Sequence, residues 1–417
     1  MLRSFRFENH RSFRDEAELV LLPVFADESR GRRAPVPVAA IFGANAAGKS
    51  NVLDGLRFMG EAVEDSYRAW SPRDGVPRKP FRLGTSSVRE PSTYVVEIEV
   101  GSVRFTYGFV VDDETVLEEW VYSYPKGKRR RLFERSGTDI EFGESLGLVR
   151  GKVNLLAELL RPNALFLSLV AQVRQDELAV LKPVYDWFTG DGLTWSSPSR
   201  PRTGRDLRVL EQRLVAFLGD SPKRATVMES FIRAADVGIE KIVVEQPAPR
   251  PRVDPEGRSI VLENPRFKLR HVGAELFDLW DESDGTLSWL TMLPGVLAVL
   301  DSGGLLVIDE IDSSLHPNLT VLLIKQFRSQ VTNPQGAQLL FTTHDASLLG
   351  TSFGEEILGR DQVWFVEKGA DGASSLYPLS DFRPRAGGEN RERRYLAGSY
   401  GAVPLVDETL LPPAVEG

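Results

Sequence analysis

Residues 35–51, PVPVAAIFGANAAGKSN, decide the fold. Eight mostly apolar residues lead to Gly43, and the octet from Gly43 to Ser50 matches the phosphate-binding loop G-x-x-x-x-G-K-[ST] at every fixed position. The residues after it carry apolar side chains at helical spacing, at Val52, Leu56, Met59 and Val63. The stretch therefore predicts a strand buried on both faces, a phosphate-binding loop and a helix.

The chemistry of such a loop is specific. Glycines at positions 43 and 48 let backbone N–H groups surround phosphate oxygens, and the helix N-terminus adds positive potential. Lys49 is expected to neutralise the β and γ oxygens, and Ser50 to ligate Mg²⁺. A chance match in a glycine-rich turn is the alternative, and the strand before the loop and the helix after it argue against it. The sequence predicts binding of ATP with Mg²⁺.

A second apolar strand, residues 305–308, ends in two carboxylates. Asp309 is expected to hold Mg²⁺ through its water shell, and Glu310 to polarise the attacking water as general base. The simpler interpretation is a strand that ends in solvated acids. The phosphate-binding loop elsewhere in the chain favours the functional one.

Two further short patterns complete the set. His344 follows the apolar run LLFTT, where a neutral imidazole could donate to a γ-phosphate, although a lone histidine at a strand end is usually structural. Ser283 and Gly285 precede an apolar helix, where they suit a bound anion or a plain N-cap. The local sequence alone favours the plain N-cap. Gly285, however, lies 24 residues before Asp309 (309 − 285), and this position favours anion binding.

The order of these motifs resembles the ABC-type ATPase heads of the RecF/SMC group. The resemblance is closest to the stand-alone bacterial AAA-domain ATPases that accompany nucleases in phage-defence or DNA-repair operons. The matching pieces cover nearly the whole chain: ENHRSF (8–13), GANAAGKSN (43–51), ESDGT (282–286), DEIDSSLHP (309–317), FTTHD (341–345) and YLAGSYGAVP (395–404).

The resemblance implies an α/β P-loop NTPase fold, with an ABC-head-like mixed sheet, an antiparallel β lobe and a helical insertion. It also implies a homodimer or higher homo-oligomer in which ATP lies between two copies. Ser283 and Gly285 of one copy then face the phosphate site of the other, with Asp312 at the seam. The same resemblance places three more residues near the phosphates: Arg11, Asn45 and Asn51.

The resemblance further implies that the protein acts as a switch for a separately encoded effector, which we expect to be a nuclease. Two features depart from the family pattern. The region around residues 81–83 lacks the expected Q-loop glutamine, and no long heptad coiled coil is present, which argues against a DNA-bridging role.

The patterns predict four parts of the chain. They are an N-terminal part of the ATPase head (1–150), a helical insertion (151–235), a C-terminal part of the head (236–380) and a tail for partner docking (381–417). Strands are expected within 1–24 and 93–150 and at 239–244, 267–272, 305–308, 339–343 and 363–366, with an exposed loop over 246–258. Helices are expected from 153, over 287–300 and after Pro317, and one buried helical stripe is Leu207, Leu210, Leu214 and Phe217.

A basic run lies between two predicted strands, at Lys126, Lys128, Arg129, Arg130 and Arg131. Near Tyr122 and Tyr124 it could contact nucleic acid, but a solvated loop is the more ordinary interpretation. A partner protein could also provide the contact with nucleic acid.

Composition excludes other classes. The chain has 417 residues, 42% of them hydrophobic, which is typical of a folded globular protein. It contains no cysteine, so disulfides, thiolate metal sites and a cysteine nucleophile are excluded and a cytoplasmic location is expected. The net charge of −8 does not favour binding of polyanions by the molecule as a whole. No apolar stretch approaches the ~20 residues of a membrane-spanning helix, and no signal peptide is expected.

Two other functions stay open at this point. One is a nucleotide-binding scaffold with negligible hydrolysis, against which Glu310 argues. The other is a monomeric P-loop phosphotransferase or GTPase; the absence of an Asn-Lys-x-Asp motif and the 260 residues between Lys49 and Asp309 (309 − 49) argue against it.

Overall fold

The computed structural model describes residues 1–24, 34–84, 87–144, 150–173, 176–198, 201–219, 221–235, 238–246, 250–253, 259–262, 265–313, 315–383 and 390–404. The chain divides into two compact units, residues 1–193 with 338–417 (unit 1) and residues 194–337 (unit 2). The four-part division made from the motifs stays a prediction.

In the described residues of 1–193, unit 1 contains the first eight strands and the first four helices. The strands are β1 (Leu2–Glu8), β2 (Ala17–Val20), β3 (Val38–Phe42), β4 (Ser92–Val100), β5 (Val103–Val111), β6 (Val116–Ser123), β7 (Arg130–Ser136) and β8 (Asp139–Phe142). The helices are α1 (Lys49–Asp65), α2 (Arg150–Leu159), α3 (Phe166–Val170) and α4 (Lys182–Thr189).

Unit 2 follows, beginning within β9. Its elements are β9 (Leu193–Ser196), α5 (Gly204–Gly219), α6 (Pro222–Ala235), β10 (Ile239–Glu245), β11 (Arg250–Val253), β12 (Ser259–Leu262), β13 (Arg266–His271), β14 (Leu276–Asp278), α7 (Asp284–Ser302), β15 (Leu305–Ile308) and α8 (Pro317–Arg328). The chain then returns to unit 1 with β16 (Gln338–Thr342), β17 (Val363–Lys368), β18 (Ser374–Pro378) and α9 (Arg391–Leu396).

Two sheets form the framework of unit 1. Seven antiparallel strands pair in the order β2-β1-β4-β5-β6-β7-β8. In the second sheet, β3 lies between β16 and β17 and is parallel to both, and β18 pairs antiparallel with β17. All five residues of β3 are buried, as a strand covered on both faces requires.

Helix α1 follows β3 directly and carries its apolar stripe inward. The four residues that predict this stripe, Val52, Leu56, Met59 and Val63, each have 0% exposure. Burying one stripe is how most helices in globular proteins gain their stability. The start of α1, and with it the phosphate-binding loop, is therefore fixed by the core of unit 1.

Unit 2 combines helices with short strands. Strands β10, β13 and β14 form an antiparallel sheet, and β11 pairs with β12 as a hairpin. Helices α5 and α6 pack against α7, and the Trp289 indole donates to the Phe231 carbonyl at 3.1 Å. Buried apolar residues dominate α7, which packs against β15, and all four residues of β15 are buried.

The α/β fold class is confirmed, with a mixed sheet, an antiparallel β lobe and helices following it. Two local expectations are wrong. Residues 250–253, expected within the exposed loop over 246–258, form a strand, because they pair with residues 259–262. On α5 the buried stripe ends at Leu218 rather than Phe217, because eleven residues complete three helical turns more closely than ten. Among the described helices, none has both the length and the apolar character needed to cross a bilayer.

Candidate functional site

The loop between β3 and α1 needs glycine at two positions. A Cβ on Gly43 would lie 2.4 Å from the Val366 carbonyl oxygen, so β17 contacts the loop backbone directly. Gly48 has a φ of +114°, and a Cβ there would lie 2.6 Å from the hydroxyl oxygens of both Ser12 and Ser374. Any larger residue at either position would displace the loop.

Lys49 is buried and folds back over this loop. Its ammonium donates to the carbonyls of Gly43 at 3.0 Å and Ala44 at 3.1 Å. It also lies 3.4 Å from Nδ1 of His344, which follows β16. Because an ammonium only donates, the Nδ1 that faces it is unprotonated, and a neutral His344 then carries its proton on Nε2. The structure thus brings together two residues 295 positions apart in sequence.

The start of α1 is suited to an anion. Gly48 is the N-cap of α1, and as a glycine it has no side chain with which to cap the helix. First-turn N–H groups, the helix dipole and the Lys49 ammonium then present positive charge at one place. Ser50 and Asn45 are exposed beside them. This donor set fits the phosphates of a nucleotide, and the exposed Ser50 hydroxyl is an oxygen ligand of the kind that Mg²⁺ prefers.

Sequence reasoning missed a hydroxyl network behind this loop. The Ser374 hydroxyl, on β18, donates to the Ala47 carbonyl at 2.6 Å and lies 2.7 Å from the Ser12 hydroxyl oxygen. Asn51 donates to the same Ser12 hydroxyl at 2.7 Å, so its amide faces Ser12. Ser12 lies within ENHRSF, and that motif was the only signal of its involvement. The contact of Asn51 with nucleotide stays a prediction.

Arg11 is held by a carboxylate of α1. Its guanidinium donates to both oxygens of Asp54, at 2.5 and 3.0 Å, and its φ of +51° lies in the left-handed region. Buried His10 also contacts Asp54, at 3.1 Å, and the Tyr94 hydroxyl at 2.8 Å. Burial raises the pKa of Asp54, but the hydrogen bonds from His10 and Arg11 outweigh it, so that pKa lies well below its ordinary value. Burial lowers the pKa of His10. Nucleotide contact by Arg11 stays a prediction.

Unit 2 carries the other predicted residues. Ser283 is the N-cap of α7, and its hydroxyl accepts from the Thr286 N–H at 3.1 Å. The local N-cap interpretation is therefore confirmed. Both Ser283 and Gly285 are exposed, so this helix start is accessible from solvent. A role opposite a second copy stays a prediction.

The acidic residues lie where β15 ends. Asp309 and Asp312 are half-buried, and Glu310 is exposed. Glu310 has a φ of +50°, which a non-glycine residue adopts at a cost of about 1–3 kcal/mol. The N–H of Ser313 donates to its carbonyl at 2.9 Å and closes the turn. Such strain is concentrated at functional sites, which agrees with the role predicted for Glu310.

The basic hairpin is partly neutralised. The Arg129 guanidinium lies 3.7 Å from the centre of the Tyr122 ring, and Arg131 pairs with Glu134 at 3.0 Å and Glu141 at 2.7 Å. These acids lower the positive potential that nucleic acid would need. Contact of Lys126–Arg131 with nucleic acid stays a prediction.

The family described as "AAA domain, putative AbiEii toxin, Type IV TA system" matches residues 38–350. No curated protein matches the chain. Among solved structures, the SMC head domain from Thermotoga maritima is 14% identical, with 90% of this chain and 98% of that chain covered and a TM-score of 0.41. The Smc head domain from Pyrococcus furiosus, with an extended coiled coil and bound to the C-terminal domain of ScpA, is 12% identical, with 92% and 97% covered and a TM-score of 0.42.

Proposed function

The chain belongs to this family of AAA domains, and from that premise we propose that it binds and hydrolyses ATP with Mg²⁺ as a dimeric switch. Each ATP is shared between the phosphate-binding loop of one copy and the Ser283–Gly285 turn of a second. Opening and closing of the dimer then controls a separately encoded effector, a nuclease in phage defence or DNA repair. The observation that carries the proposal is the loop at residues 43–50, with buried Lys49 3.4 Å from His344.

Residues of unit 1 hold the triphosphate. On binding, the Lys49 ammonium leaves the carbonyls of Gly43 and Ala44 and donates to phosphate oxygens instead. Its hydrogen bonds then go to charged acceptors rather than neutral ones, and such bonds are stronger. His344, with its proton on Nε2, donates to the γ-phosphate. Lys49 and His344 both belong to unit 1.

Residues of unit 2 supply the acidic groups. Glu310, which follows β15 and has a left-handed backbone, accepts a proton from the attacking water. Asp309, together with Ser50 from unit 1, would hold Mg²⁺, an ion that would neutralise the charge developing on the phosphate. Exposed Ser283 and Gly285, at the N-terminus of α7, offer a hydroxyl and backbone N–H groups to the second copy's γ-phosphate.

The first test is ATP turnover of purified protein. Lys49→Ala removes phosphate neutralisation and Glu310→Gln removes the base, so we expect a rate lower by about 10²- to 10⁴-fold for the second variant. Glu275→Gln, an exposed carboxylate of the same unit, is the matched control and keeps the wild-type rate. Equal rates for wild type and Glu310→Gln would exclude Glu310 as the base.

The second test addresses sharing between copies. Lys49→Ala and Gly285→Asp each inactivate both sites of a pure dimer. In an equal mixture, half of the dimers are mixed and each contains one intact composite site, so about a quarter of wild-type activity is expected. A mixture that stays inactive, although the two variants exchange subunits, rules out the shared site.

A further inference from the structure

Strand β18 begins beside the turn that carries the ENHRSF motif. The backbone N–H of Ser374, the first residue of β18, donates to the Ser12 carbonyl at 2.7 Å. An ion pair between Arg14 and Asp371, at 2.8 Å, joins the same two segments a few residues away. The start of β18 is therefore attached to the N-terminal turn by two contacts that lie outside the phosphate-binding loop.

The hydroxyl groups at this point form a chain of hydrogen bonds with one direction. A carbonyl can only accept, so the single hydroxyl proton of buried Ser374 goes to the Ala47 carbonyl, at 2.6 Å. The Ser12 hydroxyl, 2.7 Å from the Ser374 oxygen, then gives its proton to that oxygen and accepts from the Asn51 amide at 2.7 Å. Each bond in such a chain polarises the next and strengthens it. The chain starts in the first turn of α1 and ends on the loop.

The carbonyl at the end of this chain belongs to the peptide unit that joins Ala47 to Gly48. No cis peptide bond occurs among the described residues, so the Gly48 N–H lies on the opposite edge of this unit from the Ala47 carbonyl. Because the carbonyl is held towards Ser374, the Gly48 N–H is turned away from it. Gly48 is the N-cap of α1, and N–H groups at a helix start have no acceptor within the helix. The chain thus orients one of the N–H groups with which such a loop surrounds phosphate oxygens.

Gly48 is also the residue of the loop that most needs a restraint. Glycine has more conformational freedom to lose on ordering than any other residue, and the φ of Gly48 is +114°. The hydroxyl oxygens of Ser12 and Ser374 each lie 2.6 Å from the position that a Cβ on Gly48 would take, so both pack against its backbone. A loop that is ordered before the ligand arrives costs less to order on binding.

We propose that Ser374 is a positioning residue of the nucleotide site, which acts through the Ala47 carbonyl to hold the Gly48 N–H in the orientation that a phosphate needs. The inference rests on the proposed binding of ATP and is independent of hydrolysis and of sharing between two copies. Ser374 lies 327 positions from Ala47 in sequence. Affinity for ATP therefore depends on a strand far from the phosphate-binding motif.

The test compares three serine-to-alanine variants, each of which loses one hydroxyl. Ser374→Ala removes the donor to Ala47, and Ser375→Ala removes the exposed hydroxyl of the next residue on β18. Ser66→Ala removes a buried hydroxyl that accepts from the Leu165 N–H at 3.0 Å, at the C-cap of α1 and about 25 Å along the helix from the loop. The Kd of a fluorescent N-methylanthraniloyl ATP is measured by titration, with the thermal unfolding midpoint of each protein as a second readout.

We expect the Kd to rise about 3- to 10-fold in Ser374→Ala, as the loss of one net hydrogen bond predicts, and to stay unchanged in both controls. In turnover assays the same rise appears in KM, with kcat unchanged, because the hydrogen bond serves binding rather than the chemical step. Ser66→Ala should lower the unfolding midpoint without a change in Kd, which separates the stability of unit 1 from the orientation of the loop.

Equal Kd values for wild type and Ser374→Ala overturn the inference. An equal rise in Ser374→Ala and Ser66→Ala also overturns it, because the rise would then reflect stability alone. Failure of wild type to bind the analogue would instead contradict the proposed function.

Discussion

The buried ion pair of Glu119 and Arg135 offers a quantitative prediction about unit 1. Both side chains are at most 1% exposed, and their charged atoms lie 3.6 Å apart. Glu119 also accepts from the backbone N–H groups of Phe166 at 2.5 Å and Leu167 at 3.0 Å, which attaches the start of α3 to the antiparallel sheet. Burial raises the pKa of Glu119, so its charged form depends on these partners.

Replacing Glu119 with alanine leaves the Arg135 guanidinium buried without an opposite charge, which costs about 3–5 kcal/mol. Two backbone N–H groups also lose their acceptor, at about 1–3 kcal/mol each where water cannot replace it. These costs overlap, and we expect the free energy of unfolding of unit 1 to fall by about 4 kcal/mol or more. The neighbouring exposed residue provides the control, since Glu118→Ala is expected to change it by less than about 0.5 kcal/mol.

The assay is urea unfolding followed by tryptophan fluorescence, at pH 8 and pH 5. A third variant, Arg135→Met, keeps the hydrogen bonds to Glu119 but removes the cation, so the folded-state pKa of Glu119 rises further above its unfolded value. A raised folded pKa gives stability that is present at low pH and lost as pH rises, so the deficit of this variant should be smaller at pH 5 than at pH 8. A loss in Glu119→Ala within about 1 kcal/mol of Glu118→Ala, or a larger Arg135→Met deficit at pH 5, would refute the reasoning.

Single residues also predict measurable effects on ATP binding and on stability. Gly48→Ala places a Cβ 2.6 Å from two hydroxyl oxygens at a φ of +114°, so ATP binding measured by titration should be lost while the circular dichroism spectrum is retained. Because the pKa of buried His10 is lowered, the folded state binds its proton less readily than the unfolded one, and stability falls as pH drops below about 6.5. Unfolding midpoints at pH 7.5 and 5.5 should therefore differ less in His10→Gln than in wild type. Leu214→Ala should cost about 2–5 kcal/mol in chemical unfolding, and more than Phe217→Ala, because Leu214 is fully buried on α5 whereas Phe217 is not.

Much of the fold could be predicted because its signals are local. The glycine loop, the β3 run and the stripe of α1 depend on residues close together in sequence, and each prediction is confirmed. The α7 helix and the β15 strand before Asp309 follow in the same way from apolar runs of the expected lengths.

What the sequence could not predict depends on distant partners. Strand β11 has the sequence RPRV, whose arginines and proline are typical of a loop, and it is a strand because it pairs with β12. The Ser374 hydroxyl lies 2.7 Å from the Ser12 hydroxyl, although the two residues are 362 positions apart in sequence. Serine is common at protein surfaces, so neither residue stood out by type. The site was thus predictable in its phosphate-binding loop and unpredictable in the residues that support that loop.

The shared nucleotide is tested most directly by the molar mass of the Glu310→Gln protein in light scattering, with and without ATP and Mg²⁺. Because this variant binds ATP without turning it over, we predict that its mass doubles on addition of ATP and returns to the starting value when ATP is removed. Addition of Gly285→Asp to the same protein should keep ATP bound and prevent the increase. An unchanged mass of Glu310→Gln at saturating, demonstrably bound ATP would contradict the account.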